Sequence, residues 1–268
     1  MHRSHTDTHK DGRTRAKRTS CSARVSEYLA SSIKVDILVE TQLLILTLST
    51  GVQDAISFPD FRCFASNQTG NTVLMAVGAA GIGGDLFHLP SIGVSLALFV
   101  AGAAMTGHIG HAIGSRRRAW LLFTNLTQTA MVFGAAAIQF THGVQQTGGW
   151  AWATIALLSF SSGAQVGACR AMQVPEITTA MATAAWVDFV IDPNFLVQSN
   201  RPRNRRALFL AFLVAGSFMG AFMRVRIGSA WALVVSALGK TLATAILLFS
   251  EEEPRREFPT PMLVSESP

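Results

Sequence analysis

Charge is scarce in this chain. Of its 268 residues only 14% are charged while 49% are hydrophobic, and the mean hydropathy is +0.34. The few charges are also segregated: most lie before Lys34, around Arg116 to Arg118, between Arg201 and Arg206, and after Glu251. The stretches between them are long enough to cross a hydrocarbon core of about 30 Å, which takes about 20 apolar residues at helical rise. That excludes a pair of soluble domains and predicts an integral membrane protein. The formal net charge of +6 then carries no nucleic-acid signal, because basic residues at segment ends orient helices and meet anionic headgroups. Cysteine is sparse too. Cys21, Cys63 and Cys169 are odd in number and show no CxxC or Cys/His zinc spacing, so neither a disulfide framework nor a metal site is expected.

Other absences narrow the chemistry. There is no Gly-x-Ser-x-Gly, no His-Glu-x-x-His, no P-loop and no dinucleotide fingerprint, so no catalytic residue, cofactor or enzyme activity is expected. His108 and His111 share a helix face at i, i+3, but without a carboxylate they read as interfacial residues. The sequons at Asn67 and Asn125 fall beside and inside apolar stretches and read as accidental. The first residues lack the apolar core of a secretory signal, and Asp7, Asp11 and Gly12 argue against a mitochondrial presequence. Residues 1–36 are therefore expected to form a disordered basic cytosolic tail and 250–268 a second solvated tail, flanking a membrane domain over 37–249.

What the chain does have is a hydrophobic unit written twice. Ser49-Thr50-Gly51-Val52-Gln53-Asp54 returns as Ser161-Ser162-Gly163-Ala164-Gln165-Val166. Gly102 to Met105 is echoed by Gly216 to Met219, Ile113-Gly114-Ser115 by Ile227-Gly228-Ser229, and Ala119-Trp120 by Ala230-Trp231. Repeat 1 covers about 37–141 and repeat 2 about 149–249, and such duplication points to a transporter-like core. Six stretches qualify as full spans: 37–58, 91–114, 119–141, 149–169, 207–223 and 227–249. Two shorter ones, 69–84 and 177–191, each follow the Gly-x-Gln helix of their half. If only six cross, the basic N-terminus, Arg116 to Arg118 and the region from Arg170 to Arg206 fall on one side, as cytoplasmic loops should. Arg224 and Arg226 then lie on the opposite side. The expected fold is an all-α helix bundle of two inverted halves, with six full spans, two short broken or re-entrant helices and cytosolic termini.

The segment from Ser49 to Phe58, followed by Phe64-Ala-Ser-Asn-Gln-Thr-Gly-Asn-Thr72, resembles the DUF1275 (YoaK-like, UPF0700) membrane proteins, whose hallmark is a Gly-x-x-Asp-Ala helix followed by Thr-Gly-Asn. The resemblance runs from about Val39 to Phe249. The second half departs from the pattern, with Thr178-Thr179-Ala180-Met181 lacking the Gly-Asn and Val166 standing where Asp54 would. The family implies a fold more than an activity.

The candidate chemistry follows from residue type. Asn67, Thr69, Asn71 and Thr72 offer hydroxyl and amide groups, Gly70 admits a ligand to the backbone, and the following helix start is suited to an anion. Thr178 and Thr179 open the matching segment, and Gln53 and Gln165 are repeat-related polar positions. These residues and Asp54 make up the candidate substrate-binding set. Asp54, Asp188 and Lys240 are the candidate charge-coupling residues, because an ionisable group within a span costs several kcal/mol unless paired or hydrated. Lys240 lies deep in its span, and Asp54 or Asp188 is the expected partner. The function expected is a small secondary transporter or permease for an unidentified solute. A non-transporting structural or accessory membrane protein is the alternative, with a membrane-embedded enzyme behind it. The bilayer and the solute are the expected partners, and a homo-oligomer is compatible with the pattern.

Overall fold

The computed structural model describes residues 21–254, so the expected tail segments 1–20 and 255–268 lie outside the described residues. Among those described the protein is all-α, with nine helices: α1 (Cys21–Ala30), α2 (Ile37–Phe61), α3 (Gln68–Ala79), α4 (Leu89–Ile113), α5 (Arg118–His142), α6 (Gly149–Ala171), α7 (Thr183–Val190), α8 (Arg201–Arg226) and α9 (Ser229–Leu247). Four of them, α4, α5, α8 and α9, are long and apolar enough to cross a membrane. The chain is a membrane protein.

Local sequence sets the boundaries. The Asp36 carboxylate accepts from Val39 N at 3.0 Å and starts α2, the Asn67 side chain does the same for α3, and Asn200 with Pro202 starts α8. Such side-chain acceptors satisfy N–H groups that a helix start leaves orphaned. The Asn200 cap draws Arg201 to Arg206 into α8, which therefore begins six residues before the apolar pattern does. In the second short stretch only residues 183–190 are helical. The stretch expected to be a tail contains α1, and Ile33 pairs with Glu252 across the chain ends.

The ends of the six long helices gather into two layers. In one, Arg118 on α5 is buried and donates to the carbonyls of Leu247 and Ser250 at the end of α9, while stacking at 4.1 Å over Tyr28 of α1. In the same layer Arg116 reaches the Ala171 carbonyl at the end of α6, and Arg205 on α8 bridges Glu40 on α2 at 2.6 Å and Glu176 at 3.4 Å. In the other layer Asp60, buried at the end of α2, accepts from Arg224 on α8 at 2.8 Å and from Gln139 on α5 at 3.4 Å.

Between the layers, glycines let backbones touch. A methyl group placed on Gly163 of α6 would lie 2.0 Å from the Phe99 carbonyl oxygen of α4, and one on Gly102 would lie 2.3 Å from that of Phe160. The same pattern joins α2 to α8: Gly51 would meet Leu213 O at 2.5 Å and Gly216 would meet Leu48 O at 2.2 Å. α2 and α6 are less apolar than the four spanning candidates because much of their surface is buried against other helices, where Ser, Thr and Gln find partners.

Candidate functional site

A cavity of about 740 Å³ opens where the first turns of α3 and α7 approach each other. Asp54 and Ala55 of α2 line one wall, Phe99 lies near the middle of α4, and Leu213 and Ser217 lie near the middle of α8. Ser66 to Gly70 enter from one side and Ala180 to Ala184 from the other. Both short segments named by the sequence thus reach one cavity, but in the second half the lining begins two residues past Thr178. The Thr178 hydroxyl donates to Met181 O at 2.8 Å and accepts from Met181 N at 3.0 Å. It closes a turn. Thr179 is buried at positive φ within that turn.

The charge arrangement differs from the anion site expected at the start of α3. The half-buried Asp54 carboxylate accepts from Ser66 N at 2.7 Å and from the Ser66 hydroxyl, while the Asn67 side chain accepts from Gly70 N at 3.0 Å. Protein oxygens take the backbone N–H groups of Ser66, Gln68 and Gly70, and the acidic group beside this helix start is Asp54. What remains on the cavity wall is a carboxylate edge with amide and hydroxyl groups from Asn67, Gln68, Thr69, Thr183 and Ser217. That lining suits a small polar or cationic guest better than an anion.

Two candidates serve the scaffold instead. Asn71 is fully buried: its amide oxygen accepts from Phe64 N at 2.9 Å and its amide nitrogen donates to Phe64 O at 2.9 Å and to Ser95 at 3.1 Å. It staples the loop that carries Ser66 and Asn67. The Thr72 hydroxyl donates to Gln68 O at 2.8 Å within α3, the ordinary local bond of a helical threonine.

The charge-coupling residues are not brought together. Asp188 on α7 lies half-exposed, 3.8 Å from Arg206. Lys240 is 1% exposed, as its depth demanded, but its partners are neither aspartate. Its ammonium donates to the Gln165 side-chain oxygen and to that of Gln128 at 3.4 Å. The helix register explains this: α9 packs between α2 and α5, and α6 presents Gln165 to the same interior, whereas Asp54 faces α3. Gln165 also donates to Thr50 at 2.9 Å, and Gln53 donates to Ser236 at 2.8 Å. Both glutamines therefore sit in the interhelical core and line no part of the 740 Å³ cavity.

Residues that sequence reasoning passed over include Ser66, Gln128, Ser217 and Ala184. Ser66 lies inside the Phe64 to Thr72 stretch and Gln128 is an amide in the middle of an apolar span, so both carried a signal. Ala184 carried none, because an alanine lines a cavity only by virtue of the helix it stands on.

A family model described as "Protein of unknown function (DUF1275)" matches residues 42–246. No curated protein and no solved structure matches the chain.

Proposed function

The chain belongs to the DUF1275 family, and on that footing we propose that it is a small secondary transporter or permease, an inverted-repeat bundle moving a small polar or cationic solute through the cavity at Asp54. The carrying observation is the convergence of Ser66 to Gly70 and Ala180 to Ala184 on one cavity beside a carboxylate, midway along α4 and α8. Interrupted helices that meet in the interior of a membrane bundle are where transporters place their sites.

Three features support six crossings. At 1.5 Å per residue, α3 and α7 are about 18 and 12 Å long, well short of a core of about 30 Å. The ends of the six longer helices alternate between two layers, joined on one side by Arg118 and Arg116 and on the other by Asp60 and Arg224. Lys34, Arg116 to Arg118, Arg170 and Arg201 to Arg206 all belong to the first layer, which supports reading it as the cytosolic one. Arg224, on the opposite side, has its charge met by Asp60. The inverted repeat draws support from the glycines: the contact of Gly51 with α8 has its counterpart in that of Gly163 with α4, and Gly216 is to α2 what Gly102 is to α6.

The test is uptake by proteoliposomes against a library of small polar and cationic solutes, with two variants beside the wild type. Ala184→Phe fills the cavity without touching the core, and Asp54→Asn keeps a hydrogen-bonding side chain while removing the charge. Both should insert normally. A solute taken up by the wild type should be lost with the first and its uptake cut at least tenfold with the second. Uptake unchanged by Ala184→Phe would mean that the solute does not pass through this cavity, and a wild type that takes up no solute would mean a non-transporting protein.

A further inference from the structure

Three consecutive arginines join α4 to α5, and the protein uses them differently. Arg116 donates to the Ala171 carbonyl and to the Gln173 side-chain oxygen, each at 2.9 Å. Arg118 is buried and donates to the carbonyls that close α9. Arg117 is exposed, and the ion pairs among the described residues leave it out. It lines a groove of about 640 Å³ whose other walls are Val25 and Leu29 of α1, Ile113 of α4, and Ala119 and Trp120 of α5. That volume falls within the roughly 300–1,000 Å³ of ordinary ligand sites. Apart from Arg117 and the Ser26 hydroxyl, the lining is apolar.

α1 is built to make such a wall. Val25, Ser26, Leu29 and Ala30 share one face of the helix and all line the groove, while Arg24, Glu27 and Tyr28 lie on the opposite face. Tyr28 anchors the helix: its ring stacks under Arg118 and its hydroxyl donates to the Leu248 carbonyl. A helix of this kind lies in the plane of the headgroups with its apolar face toward the acyl chains, and Trp120 is a residue type enriched at that depth. Charge points the same way. Arg13, Arg15, Lys17, Arg18 and Arg24 stand in the sequence with no acidic residue between positions 13 and 26, and a basic run of this density beside an interfacial helix attracts anionic lipid. A free phosphate would meet Arg117 and leave the apolar walls bare, and a neutral alkyl chain would cover the walls and leave the guanidinium unmet. We infer that this groove holds one anionic glycerophospholipid, its phosphate on Arg117 and an acyl chain along Leu29, Ile113 and Trp120. The site needs this layer to lie at a bilayer surface; it needs neither transport nor the Asp54 cavity.

The experiment is native mass spectrometry of the full-length protein released from a nonionic detergent, after titration with dioleoyl phosphatidylglycerol or dioleoyl phosphatidylcholine. The wild type should retain one phosphatidylglycerol per chain saturably and bind phosphatidylcholine at least about tenfold more weakly, and inorganic phosphate should not displace the lipid. Arg117→Gln should erase the preference, because it removes the charged fork that grips a phosphate, whereas Arg117→Lys should keep part of it. Ala30→Trp, which fills the groove from an exposed position of α1, should remove tight binding of both lipids. Thermal unfolding midpoints near that of the wild type would show that the variants are folded, and the headgroup comparison on the wild type needs no variant. The inference is overturned if the wild type shows no saturable first site or binds the two lipids equally, if Arg117→Gln keeps the preference, or if inorganic phosphate displaces the lipid. A dimer that Ala30→Trp dissociates would overturn it too, by making the groove an interface between two copies. None of these readouts involves a transported solute, so a failed uptake screen leaves them untouched.

Discussion

Replacing Gly163 by alanine tests the close packing on which the whole bundle depends. The added methyl would stand 2.0 Å from the Phe99 carbonyl oxygen, against 3.4 Å for the near edge of ordinary contact, so α4 and α6 must separate by more than an ångström. The oxygen it meets belongs to the backbone of α4 and not to the end of a flexible side chain. Overpacking of this kind costs about 1–3 kcal/mol, and a rigid backbone clash belongs at the upper end. Alanine returns up to about 1 kcal/mol of helix propensity over glycine. The net expectation is a loss of about 2 kcal/mol, which at about 2–4 °C per kcal/mol for a chain of this size lowers the midpoint by about 4–8 °C. Gly107 provides the control, because a methyl there meets nothing within 4 Å, so Gly107→Ala should be neutral or slightly stabilising. Gly51→Ala, with its own clash at 2.5 Å against Leu213 O, should resemble Gly163→Ala. Thermal unfolding of the purified variants in detergent, followed by tryptophan fluorescence, reads all three. If Gly163→Ala is as stable as Gly107→Ala, the helices are not in backbone contact and the packing argument fails.

Two further outcomes follow. Arg224→Ala strands the Asp60 carboxylate, which is 1% exposed and paired at 2.8 Å, and should destabilise by about 3–5 kcal/mol; adding Asp60→Asn should recover most of that, and an equally unstable double variant would refute the pairing. A cysteine at Gly148, with the native cysteines replaced, should react with an impermeant maleimide added outside intact cells, and labelling only after permeabilisation would reverse the proposed topology.

The long helices were legible because hydropathy is averaged over a whole span, and α4, α5, α8 and α9 are long and apolar enough to cross a membrane. α2 and α6 were legible for another reason: their Gly-x-Gln patterns recur, and their polar residues are buried against other helices. Their boundaries shifted where a cap overrode hydropathy, as Asn200 does by pulling six mostly basic residues into α8. The first short segment was legible in its place, but the helix ends at Ala79 and not at Gly84, and Asn67, expected as a solute-binding group, caps it. Thr178 and Thr179 were not, because their role in closing a turn depends on the path from α6 into the bundle.

The misplaced pairing of Lys240 is more instructive. Depth in a span is a one-dimensional property, and it correctly predicted burial. A partner is decided by which faces of four helices meet, and that information is spread over glycines at positions 51, 102, 163 and 216 that fix the helix crossings. Expecting a carboxylate followed from charge alone. The protein instead surrounds the ammonium with amides, which can turn an oxygen toward a cation and a nitrogen toward an anion in one side chain. Gln128 does the first with its oxygen and leaves its nitrogen unpartnered, an arrangement that a carboxylate at the same position could not provide.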